Sequence, residues 1–408
     1  MKILMVSSRI PYPLTAGFRI RIYNEAKYCR RAGHQVGLLY LGKPEEYERY
    51  KAQLAEVFHE VHVVPFRRAE ALFNLFKCLF TPSKPFQVAL YINRQLRKTL
   101  ERLEGGYDVV IGNTIRTAEY LRKIDPAKTI LDFHDAISYN YENAVRCTKG
   151  LKKWVYRTEY RRVLRYERDT AKAFRKAVII SEDDKAYLQK HGADTARLSV
   201  IPVAVRDDIA ARKTVYGTAA REICFLGKMS YQPNEDAVVW FCHNVFPQLR
   251  ERYPDVRFVI MGIEPSKAVC ELERLDGVTV TGFLENPFER MAACVATVVP
   301  IRNGAGMQNK VLESMAVGTP TVLSPIAAEG LGGQNGVHYL AAERAEDYVE
   351  QLSRLLDSPP LCRQVGDSAR ELIRTRYTWE VLWSRWESLI CASAQPEASD
   401  GVSGAARL

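Results

Sequence analysis

The chain has no apolar run long enough to cross a membrane. Stretches such as Cys294–Ile301 hold eight residues, whereas a spanning helix takes roughly twenty. Ile3–Val6 is too short for the apolar region of a secretory signal, and Ser7, Ser8 and Arg9 follow it at once. Nine cysteines are scattered with no C-x-x-C spacing, which argues against both a disulfide framework and a structural zinc site. Together these absences predict a cytoplasmic protein with buried, reduced thiols. There is no D-x-D triplet, so no acidic motif for a metal-bridged diphosphate is evident. The first apolar run is followed by Ser7-Ser8-Arg9-Ile10-Pro11 rather than G-x-G-x-x-G, which argues against a dinucleotide-dependent oxidoreductase.

What is present is a long chain of ordinary globular composition, 408 residues with 47% hydrophobic and 26% charged. That length suits two α/β domains of roughly 200 residues each. Short β-branched runs recur at Lys2–Ser8, Gln35–Leu41, Val61–Phe66, Asp108–Asn113, Thr129–Phe133, Ala177–Ser181 and Leu198–Val203. They resume at Ile223–Gly227, Arg257–Gly262, Val278–Phe283, Ala296–Ile301 and Pro320–Ser324. Most are continuously apolar, as parallel strands covered on both faces are. Helical patterns lie between them, for example at Ile20–Ala32, Glu235–Tyr253, Asn309–Ala316 and Ala345–Asp357. Such alternation predicts doubly wound, Rossmann-like α/β domains. The pattern runs twice, which predicts a first domain over 1–206, a polar linker over 207–222 and a second domain over 223–391. The small, polar tail over 392–408 is expected to be disordered.

The net charge of +10 is unevenly placed: 146–176 carries twelve Lys/Arg against three acids. A concentrated basic stretch suits an anionic partner such as lipid head groups, a phosphorylated acceptor or nucleic acid. Tyr156, Tyr160, Val163, Leu164, Ala171 and Phe174 recur there at near-helical spacing, with Lys152, Lys153, Arg161 and Arg162 among the basic residues between and before them. A second amphipathic segment carries Leu72, Phe73, Leu75, Phe76, Leu79 and Phe80. These two segments, with Phe73, Phe76 and Phe80 as the apolar members, are candidates for peripheral contact with an anionic membrane surface. The plainer alternative is a pair of packed helices with solvated basic faces. A nucleic-acid-binding role for the basic stretch lacks a recognisable reading motif, so no nucleic acid is expected.

Two segments carry the candidate chemistry. A strand is expected to end at Gly227, which puts Lys228 at its C-terminal tip, where ligands of open α/β sheets bind. The run at 303–306 is glycine-rich and precedes a helical pattern, so the free N–H groups and positive end of that helix face the loop. Lys310 and Glu313 lie three apart on one helical face. A diphosphate at the helix start would meet Lys310, and Glu313 would accept from ribose hydroxyls. A glycine turn before a helix with a surface i,i+3 pair is the competing reading.

Gly304–Pro320 reads G-x-G-x-x-x-K-x-x-E-x-M-A-x-G-x-P, and this resembles the nucleotide-sugar motif of the family 4 retaining glycosyltransferases. Thr321–Leu331 resembles the same family, as do Phe225–Ser230 with Pro233-Asn234, Ile10–Pro13 with Gly17 and Arg19–Tyr23, Asp132–Asp135 and Ile180–Asp183. The resemblance spans Met1 to Cys391. It implies the GT-B fold, two facing Rossmann-like domains with a C-terminal helix crossing back to the first. It also implies that Lys228 and Lys310 hold the donor diphosphate, Glu313 the ribose, and the backbone at Gly304, Ala305, Gly306 and Met307 the sugar or phosphate. Gly17 would admit the diphosphate, Ser324, Glu329, Gly330 and Leu331 would flank the nucleotide, and His134 would stand near the acceptor and the transferred sugar. The donor is then a nucleoside diphosphate sugar with no cofactor and no metal. The acceptor is a glycan or lipid-linked glycan of a cell-surface polysaccharide pathway. Many relatives carry a second glutamate eight positions before the ribose-binding one; here Ala305 stands there. That departure keeps open a non-transferring relative, either a nucleotide-sugar epimerase or an inactive scaffold.

Overall fold

The computed structural model describes residues 1–80, 84–212, 221–303 and 307–394. Seven strands form the first sheet: β1 (Lys2–Ser7), β2 (Gln35–Gly42), β3 (Glu60–Pro65), β4 (Val109–Asn113), β5 (Thr129–His134), β6 (Ala177–Ile179) and β7 (Leu198–Val200). Six form the second: β8 (Glu222–Leu226), β9 (Arg257–Met261), β10 (Val278–Gly282), β11 (Ala296–Val299), β12 (Thr321–Leu323) and β13 (Leu340–Ala341). The orders are β3-β2-β1-β4-β5-β6-β7 and β10-β9-β8-β11-β12-β13, and every pairing within a sheet is parallel. The strand order reverses between β1 and β4 in one sheet and between β8 and β11 in the other. Those reversals open the crevices in which doubly wound sheets receive ligands, at the C-terminal ends of the strands.

The apolar runs form strands because helices cover both faces of each sheet. Along β4, Val110 packs into the core on one face, and Val109 and Ile111 into the core on the other. The second of these cores is closed by the C-terminal helix, Trp379–Ala394, which places Trp379, Leu382, Trp386 and Ile390 against the first sheet. Tyr28 stacks on Trp379 at 5.5 Å between ring centroids. The chain therefore does cross back, and the GT-B architecture is present.

Four local expectations change. The helix expected over Glu235–Tyr253 is two, Gln232–Asn244 and Phe246–Arg252. Pro247 at the start of the second has no N–H to give and crowds the preceding turn. β13 has only two residues and no apolar run to announce it. In the stretch read as a linker, Asp207–Ala210 is a helical turn, and Asp207 accepts from Lys27 at 2.7 Å and Tyr28 at 3.0 Å. The C-terminal helix runs three residues past Cys391; the rest of the tail lies outside the described residues. Among the described residues no helix is long and apolar enough to cross a membrane.

Candidate functional site

The two sheets face each other across a cleft of about 860 Å³. Of the residues expected at the donor, Gly17, Lys228, Met307, Lys310 and Glu313 line it, and His134 joins them. Gly304, Ala305 and Gly306 lie outside the described residues. Ser324, Glu329, Gly330 and Leu331 stand apart from the cleft lining. Ser324 caps the short helix Pro325–Ala328 and donates to the Ile301 carbonyl at 2.6 Å. Glu329 accepts from Tyr139 at 3.3 Å, the Gly330 N–H donates to Asp183 at 2.7 Å, and the Leu331 carbonyl accepts from Tyr377 at 2.7 Å. Glu329 and Gly330 thus link the two domains in this structure.

The second-sheet wall is built around the helix Asn309–Val317, which starts in the cleft and ends at Gly318 in a left-handed cap (φ 85°). Lys310, in its first turn, is buried. Its ammonium meets the Asn234 side-chain oxygen and lies 5.0 Å from the centre of the Phe225 ring. Burial lowers its pKa to about 7, against the opposing pull of Glu313. Glu313, half-buried one turn on, is pushed up to about 7 by burial, with Arg206 and Lys310 working the other way. A lysine and a glutamate are therefore both held near the edge of their charged states, facing a cavity rather than a full set of protein partners. Lys228 is more exposed and pairs with Glu264 at 2.8 Å. Asn234 joins the two lysines: its amide donates to the Lys228 carbonyl at 2.8 Å while its oxygen accepts from Lys310. Glycine is required where β8 and β9 end, since a Cβ on Gly262 (φ 151°) would stand 1.7 Å from the Gly227 carbonyl oxygen.

The first-sheet wall is held by a buried polar network. Asp132 on β5 receives Arg21 at 2.6 Å, and its second oxygen receives the His134 backbone N–H at 3.0 Å. Arg21 also reaches the Ile201 and Pro202 carbonyls, both at 3.1 Å, and pairs with Glu25 at 3.0 Å. Burial raises the Glu25 pKa to about 8, with Arg21 opposing. His134 itself has φ 69°, a left-handed conformation costly for a residue with a Cβ. The carboxylate of Asp132 therefore caps the backbone of His134, not its ring, and leaves the imidazole toward the cleft. Burial lowers the imidazole pKa, so the neutral ring is favoured. A Cβ on Gly17 would lie 3.8 Å from His134 Nε2 and 3.0 Å from the Asn309 amide of the opposite wall. Any side chain at 17 would close the gap between the walls.

Sequence reading missed Asn309, Tyr231 and Arg206, all in the cleft lining; Pro233-Asn234 was noted only as a pattern. Arg206 sat at an expected domain boundary, where nothing marked it. Among the described residues, the non-glycine positions with positive φ are Thr114, His134 and Glu264. Each lies at or just beyond the C-terminal end of a strand, where strain of this kind gathers at functional sites.

The apolar helix Arg68–Phe80 turns outward. Leu72, Phe73, Phe76, Leu79 and Phe80 are exposed, and only Ala71 and Cys78 are buried. The helix Gly150–Ala173 exposes Leu151, Trp154 and Val155 beside Lys152 and Lys153. Arg161 is also exposed, whereas Arg162 turns inward to donate to the Cys78 carbonyl at 3.0 Å, which joins the two helices. The helix Arg68–Phe80 is thus not an ordinary core helix, whereas Gly150–Ala173 packs Val163, Tyr166 and Ala171 into the core and exposes apolar residues only near its start.

The chain matches known proteins over most of its length. Residues 16–208 match the model of Glycosyltransferase Family 4, and residues 220–358 that of Glycosyl transferases group 1. An uncharacterized 44.6 kDa protein in the cps region of Klebsiella pneumoniae is 22% identical over 395 residues, 94% of this chain and 98% of that protein. The crystal structure of HepE from Anabaena in complex with UDP superposes with a TM-score of 0.69 at 13% identity, covering 96% of this chain and 100% of that one. Sucrose-phosphate synthase from Thermosynechococcus elongatus gives 0.66 at 14% identity, covering 95% and 98%. With two facing doubly wound domains and both family models matched in order, the chain belongs to the family 4, group 1 glycosyltransferases and is a transferase of the GT-B fold.

Proposed function

We propose that the protein moves a sugar from a nucleoside diphosphate sugar to a hydroxyl acceptor with retention at the anomeric carbon. The observation that carries this reading is Lys310, a buried cation at a helix start with Glu313 one turn on, across the cleft from His134. The donor diphosphate would lie at the start of that helix, neutralised by Lys310, Lys228 and free N–H groups without a metal. Its ribose hydroxyls would donate to Glu313. The acceptor hydroxyl would approach beside His134 and attack the anomeric carbon on the face the diphosphate leaves. The bond from that carbon to the diphosphate breaks, the new C–O bond forms, and the hydroxyl proton passes to the departing phosphate. The neutral imidazole orients the sugar or the acceptor by hydrogen bonding.

HepE has been solved with UDP and with UDP-glucose, so uridine diphosphate sugars are the first donors to try. The cps-region relative supports a cell-surface polysaccharide as the setting. The exposed apolar and basic helices favour working against an anionic membrane on a lipid-linked acceptor. The test is transfer in the presence of EDTA, with the product anomer read by NMR. An α-linked product from an α-linked donor is expected; a β-linked product refutes retention. Flotation with anionic liposomes at low salt tests the membrane contact, which Phe73→Ser with Phe76→Ser should weaken.

A further inference from the structure

The crevice of the first sheet, between β1 and β4, carries a cluster of cations that the donor does not use. Arg9 lies two residues beyond β1 and Arg116 three beyond β4, so the two flank the point where the strand order reverses. Arg19 lies in the first turn of the helix Gly17–Arg31, which begins in the cleft. β5 is the next strand over and ends at His134. The ring of Tyr91 holds two of the three: the Arg9 and Arg116 guanidinium carbons lie 5.4 and 5.2 Å from its centroid. Arg9 Nε donates to the Tyr91 hydroxyl at 2.7 Å, and Arg116 sets Nε and Nη2 on the Gln87 oxygen, each at 3.3 Å. Both forks are thus fixed in direction before any ligand arrives.

None of the three forms an ion pair among the described residues, although Arg21, Arg122 and Arg206 nearby in the fold all do. Arg19 Nε is buried without a hydrogen-bond partner, and so is the Thr114 hydroxyl on the strained turn that leads to Arg116. Burial lowers the pKa of Arg19, with Glu46 opposing and Arg9 adding to the fall; burial likewise lowers that of Arg116, with Tyr91 and Asp135 opposing and Arg9 adding to the fall. Holding guanidiniums together, partly dry and unpaired, is costly unless an anion completes them. A planar fork suits the two oxygens of a phosphate or carboxylate.

We infer that Arg9, Arg19 and Arg116 form an anion site on the first-sheet wall, beside His134, which takes a phosphate or carboxylate carried by the acceptor. The assignment to the acceptor rests on the transferase reading above, because the donor diphosphate has its own cations on the opposite wall. The anion has two possible sources, a lipid phosphate or an acidic sugar. Phe66 packs on Tyr91 at 5.9 Å and Asn74 donates to the Ile92 carbonyl at 2.8 Å, so the exposed apolar helix Arg68–Phe80 adjoins the cluster. A lipid phosphate would span both.

The test uses the full chain carrying Lys310→Met, which removes the cation of the donor site, and inorganic pyrophosphate followed by calorimetry or phosphorus NMR. Pyrophosphate binding should persist in Lys310→Met and fall at least tenfold when Arg9→Gln or Arg116→Gln is added, with Arg116→Lys intermediate because it keeps the charge and loses the fork. The exposed Arg9 guards against a variant that merely fails to fold. In the otherwise wild-type chain, Arg116→Gln should leave nucleoside diphosphate binding intact, which separates this site from the donor reading. Displacement of pyrophosphate by a polyprenyl phosphate in micelles assigns the site to a lipid; displacement by glucuronate oligosaccharides assigns it to a glycan. Pyrophosphate binding that vanishes with Lys310→Met, or that ignores all three arginine variants, overturns the proposal.

Discussion

The second-sheet wall of the cleft draws Lys310 and Glu313 from one turn of one helix, with Asn234 and Lys228 close by in space. The first-sheet wall draws Gly17, Arg21, Asp132 and His134 from two separated segments. Their charges are managed differently too. Arg21 is buried with a full set of protein partners, so it serves the fold. Lys310 is buried with one side-chain oxygen and a ring, so its charge is kept for something that arrives later. Arg21 is thus completed by the fold itself, whereas Lys310 is left for a ligand to complete.

That contrast is open to direct attack, and the largest effect should come from paired substitutions. Arg21→Met strands Asp132 and Glu25 in the interior and should lower stability by about 3–5 kcal/mol, seen in denaturant melts. Lys310→Met removes an underpaired buried cation and should leave stability unchanged or raise it by roughly 1 kcal/mol, while abolishing stabilisation by nucleotide. If both variants lost stability equally, the two walls would not differ as described.

Next in size is His134. His134→Gly relieves a left-handed backbone (φ 69°), so the melting temperature should hold or rise, by up to about 1–2 kcal/mol in free energy. Transfer should fall roughly 10²-fold or more, with nucleotide affinity unchanged. A fall in nucleotide affinity instead would place His134 at the donor.

The pH dependence of binding sharpens the comparison further. Lys310 sits near 7 in the empty cleft because burial disfavours its charge. A bound diphosphate favours the ammonium form and draws the value back up. At pH 8 Lys310 is mostly neutral and Glu313, also near 7, mostly ionised. Binding at pH 8 should therefore take up close to one proton, and affinity should weaken as pH rises above 7. Calorimetry in buffers of different ionisation enthalpy reads this directly, and Lys310→Met should abolish the uptake. The smallest effect belongs to Lys228, whose pair with Glu264 is well exposed. Lys228→Ala should change stability by no more than about 0.5 kcal/mol, yet weaken nucleotide binding roughly tenfold.

The same contrast explains what could be read from the sequence. Lys310, Glu313 and the glycines before them are contiguous, and their spacing states a helix start facing a loop. The parallel strands announce themselves as apolar runs because helices cover both faces. Arg21 meets Asp132 and the Ile201 carbonyl across 111 and 180 residues, and no local pattern carries that. The positive φ of His134 is a property of the folded bulge between β5 and β6. Arg9 and Arg116 look like ordinary loop arginines until β1 and β4 are set side by side. The outward turn of Phe73, Phe76 and Phe80 was undecidable from periodicity, which marks an apolar stripe without saying what faces it.

The measurement that tests the central claim most directly is calorimetric titration of UDP, GDP, ADP, TDP and CDP, with EDTA present, into the wild type, Lys310→Met and Glu313→Ala. One nucleotide should bind the wild type without metal, and both variants should lose at least tenfold in affinity while remaining folded. Undiminished binding by the two variants, or no binding of any nucleotide to the wild type, would contradict the assignment of the second-sheet wall to the donor.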